Sequence, residues 1–104
     1  MALLGDPFVA TTPRQLNDAE LLQALRIDLA GELEAIIGYE AHAMAIYDER
    51  VKKVLLHIAN EERRHVGQLQ QLLFMLSPAE QDYTQQGMQT IQNQQAQNFQ
   101  NPMQ

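Results

Sequence analysis

The stretch IANEERRHVGQL, Ile58–Leu69, sets two adjacent glutamates and a histidine into what otherwise reads as the buried side of a helix. Working outward from it, Val51, Leu55, Ile58, Glu62, His65, Leu69, Leu72 and Leu76 recur at alternating spacings of three and four, which marks one face of a helix. Glu62 and His65 fall one turn apart on that face, so both side chains reach a single ion without distorting the backbone. Asp48 predicts the cap that opens this helix, with Glu49 in its first turn.

Upstream lies a second seam of the same period: Leu22, Leu25, Leu29, Glu32, Ile36, Tyr39, Ala43 and Ile46. Asn17, followed three residues later by Glu20, predicts a capping box at its start. The register breaks near IYDERVKK, which places a turn near Asp48 and folds the two helices into an antiparallel hairpin. Glu32 lies about sixteen residues before that turn and Glu62 about fourteen after it, so the two acids stand at similar heights. An ionised carboxylate in an apolar interior costs several kcal/mol unless it is paired or ligates a metal. No lysine or arginine occupies either seam, which leaves a metal as the simplest partner.

Downstream, LSPAE predicts a third, shorter helix, with Ser77 as cap, Pro78 at the first helical position and Glu80 returning the capping bond. Beyond Asp82 every residue is uncharged, and glutamine and asparagine dominate. The predicted organisation is an extended N-terminal arm over 1–16, a helical domain over 17–95 and a flexible, low-complexity tail over 96–104. Two helices alone cannot enclose a core, whereas two hairpins make a four-helix bundle. The predicted fold is therefore all-α: an antiparallel two-helix hairpin plus a shorter C-terminal helix, paired with a second subunit.

Composition narrows the chemistry. With no cysteine among 104 residues, disulfides, thiolate zinc sites and thiol nucleophiles are excluded, and any metal is held by oxygen and nitrogen. A net charge of -6 with seven scattered basic residues argues against a nucleic-acid partner. No run is long and apolar enough to span a membrane, and no basic leader opens the sequence, so a cytoplasmic location is expected. One Glu helix and one Glu-x-x-His helix supply half the ligand set of a ferritin-like di-metal bundle. A twofold dimer would restore the whole, its four carboxylates (Glu32 and Glu62 from each chain) balancing two divalent ions. Mixed oxygen and nitrogen donors suit iron, and manganese equally.

At these residues, AGELEAIIGYE followed by NEERRHVGQL, the chain resembles the encapsulated ferritins, half-length members of the ferritin-like superfamily. The resemblance covers roughly residues 18–88. It implies that Glu32, Glu62 and His65 bind iron in a di-iron site shared between two subunits, with Tyr39 beside it. It further implies ferroxidase chemistry, assembly of paired subunits into a ring-like decamer, and storage of the mineral inside an encapsulin shell. Gly38 stands where some relatives carry tryptophan, and the tail is uncharged and Gln-rich where free cargo members of the family end in an apolar-basic targeting peptide; a native tail, a truncated one and a linker of the kind found in shell-fused members all fit it.

Other residues have plainer readings beside their functional ones. The Tyr39 hydroxyl can bond a metal-bound carboxylate or pass an electron, and equally suits an interior tyrosine. Glu34 and Glu61 flank the seams as candidates for a secondary cation site or as solvated acids, Glu61 with Arg63 and Arg64 near it for pairing. His42 and His57 lie one step off their seams and read as surface or interface histidines, and Met44, Met75 and Met88 as gap fillers. Two further functions fit the pattern: a rubrerythrin-like peroxide reductase, for which no cysteine-bound iron relay is present, and a metal-free helical adaptor.

Overall fold

The structure, a computed structural model, describes residues 14–100. Most of the predicted arm (residues 1–13) and the end of the predicted tail (residues 101–104) lie outside the described residues. Three helices follow in order: α1 (Asp18–Met44), α2 (Glu49–Leu76) and α3 (Pro78–Gln100). No strand occurs among the described residues.

Each helix begins where local chemistry satisfies its free backbone donors. At α1 the Asn17 side chain accepts from the Glu20 backbone N–H, while the Asn17 N–H donates to the Glu20 carboxylate, completing the predicted box. The same carboxylate is gripped by Arg14, which holds the Glu20 carboxyl well below its ordinary value near 4.5, at about 2. Asp48 caps α2 by accepting from the Arg50 N–H at 2.9 Å, and its carboxyl is likewise held low by the Arg50 guanidinium. Only Ala45–Asp48 separate the helices, so α1 and α2 run antiparallel along their lengths.

Ser77 alone separates α2 from α3. Its N–H donates to the Leu73 carbonyl at 2.8 Å, closing α2, and its Oγ accepts from the Glu80 N–H at 3.3 Å, opening α3. The predicted return bond from Glu80 gives way to a longer-range one: the carboxylate takes the Arg26 guanidinium of α1, Nη2 at 2.5 Å and Nε at 3.2 Å. A fixed cation competes better for a carboxylate than a neutral backbone N–H does. α3 continues to Gln100, five residues past the boundary expected at 95, with no glycine or proline after Gly87 to stop it before Pro102.

The chain has extents of 59 × 45 × 18 Å, so it is one layer of helices thick, with α3 swung away from the hairpin. Among the described residues the buried apolar side chains are Ala43, Ala59 and Leu73, and no polar group is buried. Ala59 and Leu73 lie one residue later than the seam expected on α2. That seam is only partly covered: Val51, Leu72 and Leu76 are 44%, 41% and 50% exposed, and its remaining members are half-buried. The α2 stripe thus divides its contacts, one edge meeting α1 and the other facing open space.

Candidate metal site

The half-covered edge of the hairpin holds the polar members of both seams. α1 presents Glu32 and α2 presents Glu62 and His65, because the turn at Asp48 brings residues about equally distant from it to one level. His65 Nδ1 lies 3.2 Å from Glu62 Oε2 and 3.4 Å from Glu32 Oε2. One donor atom from each of the three residues falls within 4.8 Å of the others. Neighbouring donors on an octahedral ion at about 2.1 Å are about 3 Å apart, and the nitrogen stands from each of the two oxygens at close to that spacing.

Electrostatics points the same way. The Glu32 and Glu62 side chains are 24% and 17% exposed, and among the described residues neither pairs with lysine or arginine. His65, 45% exposed, is their ion-pair partner and brings at most one positive charge to two carboxylates. Partly desolvated acids left with a charge deficit favour a cation.

These three residues form one wall of a cavity of about 440 Å³ that is open on one side. Tyr39 joins them, half-buried two turns further along α1, and Leu69 closes the α2 side. Asp28, Gly31 and Ala35 complete the lining, and none of the three was singled out by the seam pattern. The available signal for Asp28 was its place four residues before Glu32, one turn back on α1.

The flanking candidates go elsewhere. Glu34, two residues past Glu32 and so on the far side of α1, is half-buried and is no part of the cavity lining. Glu61 pairs with His57 at 2.7 Å, one turn back, and not with Arg63 or Arg64. Arg63 projects to the other side of α2, where it reaches Glu40 of α1 at 2.6 Å and Asn60 at 3.0 Å. His57 and His42 are both exposed.

A hairpin with Glu on one helix and Glu-x-x-His on the facing helix is one half of a ferritin-like carboxylate bundle. A family model described as ubiquinone biosynthesis protein COQ7 matches residues 19–78. The chain is 37% identical over 73 residues to the encapsulin nanocompartment cargo protein EncC of Myxococcus xanthus. It is 38% identical over 73 residues to the ferritin-like-encapsulin shell fusion protein of Pyrococcus furiosus. These matches take in 70% of this chain in each case, but 56% of the first relative and 21% of the second. The crystal structure of the encapsulated ferritin domain from Pyrococcus furiosus superposes with a TM-score of 0.78 at 33% identity, covering 88% of this chain and 93% of that one. The chain belongs to the encapsulated ferritins.

Proposed function

We propose that the chain is a ferroxidase that oxidises Fe(II) to Fe(III) at a di-iron site shared by two subunits, and that it supplies iron for storage in an encapsulin compartment. The observation that carries this reading is the convergence of Glu32, Glu62 and His65 on one open cavity with no lysine or arginine among the described residues to neutralise the acids. Manganese suits the same donors.

One chain offers two carboxylates and one imidazole, which is half of what two ions need. Its twofold mate, laid over the open side of the cavity, supplies the other half, and the four carboxylates then offset the charge of two ferrous ions. Two ferrous ions give up two electrons in all to an oxidant. Within this site Glu32 and Glu62 bind the substrate ions and hold them close together. His65 Nδ1 binds as the neutral imidazole, so any proton it shares with the carboxylates in the metal-free chain leaves on loading. Tyr39, on the same wall, orients a carboxylate through its hydroxyl or passes an electron outward. Leu69 lines the cavity on the α2 side, where an apolar side chain would limit the water that reaches the ions.

The open side is built for a partner. Val51, Val54, Leu72 and Leu76 run along the same edge of α2 as His65 and are 41–57% exposed. A separate stripe on α1, Leu33, Ile37 and Met44, is exposed beyond it and supports assembly larger than a dimer. Relatives named as encapsulin cargo and shell-fusion proteins support the compartment. Among the described residues no helix is long and apolar enough to cross a membrane.

The test is aerobic Fe(II) oxidation followed by ferric absorbance. Glu32→Ala, Glu62→Ala and His65→Ala each remove most of the activity under this reading. A Glu62→Ala variant that oxidises iron at the original rate rejects it.

A further inference from the structure

The carboxylate of Asp28 has no place in the three-residue ligand group, yet it lines the same cavity, one helical turn from Glu32. Asp28 is exposed, and it makes no hydrogen bond or ion pair with the described residues. Several acids on and beside the two long helices, outside the ligand group, have a partner. Glu40 is held by Arg63 at 2.6 Å, Glu61 by His57 at 2.7 Å and Asp48 by Arg50 at 2.9 Å. Asp18 sits in the first turn of α1, where the helix dipole offsets its charge.

Asp28 has neither kind of compensation. It lies in the middle of α1, and its neighbours three and four residues away are Ala24, Leu25, Gly31 and Glu32. Like charges at this spacing repel and destabilise a helix, and a cation between them offsets that repulsion. Gly31 and Ala35, the small residues of the lining, put at most a methyl group into the space beside the two acids. An exposed, unpaired acid therefore leads along one wall to half-buried Glu32.

We propose that Asp28 is a transit ligand: it captures a hydrated divalent cation at the mouth of the cavity and passes it one turn along α1 to Glu32. This rests on the metal-site reading of Glu32, Glu62 and His65, and adds to it the route by which the ion arrives. A transit ligand accelerates loading without adding to final occupancy, and its effect weakens with salt because it works by local negative potential.

Stopped-flow uptake of Co(II), read from its visible absorption on the full chain, tests this separately from iron oxidation. Asp28→Asn, which keeps the shape and removes the charge, is expected to slow uptake by about threefold or more at low ionic strength. The final cobalt content per chain is expected to be unchanged, Asp28→Glu to restore the rate, and added salt to shrink the difference. Uptake by the Asn variant at the original rate overturns the proposal, as does a lower cobalt content at saturation, which would make Asp28 a resident ligand. If uptake depends on Asp28 as expected but the unaltered chain oxidises no Fe(II), the transit role stands and the ferroxidase reading falls. An unaltered chain that takes up no cobalt overturns both.

Discussion

Glu20 shows how much one side chain can hold at the start of a helix. It closes the capping box with Asn17 and receives the Arg14 guanidinium, and the hydrogen bond from Arg14 is the main cause of its lowered carboxyl value of about 2. Because the folded value is depressed, the contribution of this group is present above the ordinary carboxylate value near 4.5 and is lost as pH falls toward about 2. Carboxyl carbon NMR is expected to place the Glu20 midpoint near 2 and to show it rising toward 4.5 in Arg14→Ala. A midpoint that ignores the arginine would contradict this account. At the same scale, Glu32, Glu62 and His65 were legible in the sequence because each interrupts an apolar stripe, where a polar residue is out of place. Asp28 was not, since it stands off the stripe and an isolated acid there looks like any solvated one. Its distinction, the lack of a counter-charge among the described residues, appears only when the partners of the other acids are known.

Helix boundaries were legible wherever a capping residue met a break in periodicity, as at Asn17, Asp48 and Ser77. Asp48→Ala is expected to lower the denaturation midpoint by removing the α2 cap, with chemical denaturation as the measure. An unchanged midpoint would mean that the turn is held by other contacts. Two element-level features escaped the sequence. The packing line of α2 runs through Ala59 and Leu73, one residue beyond the expected seam, because periodicity gives the centre of an apolar stripe but not which neighbour meets each edge. The Glu80 carboxylate reaches Arg26, fifty-four residues away in the chain, and no local pattern announces so distant a partner.

As a whole, the molecule exposes a great deal of apolar surface for what it encloses. Three apolar side chains are buried among the described residues, while Val54, Leu72, Met75 and Leu76 of α2 stand 41–67% exposed. A chain of this size buries too little surface alone to be secure, and in the proposed pairing a second hairpin would cover this edge and complete the cavity. Leu72→Glu, which places a charge on that edge one turn from Leu69, is expected to shift the assembly toward single chains in analytical ultracentrifugation. Iron oxidation should fall with it, although every ligand remains. Retained activity in dissociated chains would separate the chemistry from pairing.

The central claim is that one hairpin carries half of a site and two hairpins carry the whole. Native mass spectrometry combined with metal analysis of the iron-loaded protein measures both quantities together. The account predicts even-numbered assemblies holding two iron ions for every two chains, and loss of that iron in Glu62→Ala. Single chains that retain a full complement of iron, or paired chains that bind none, would contradict it.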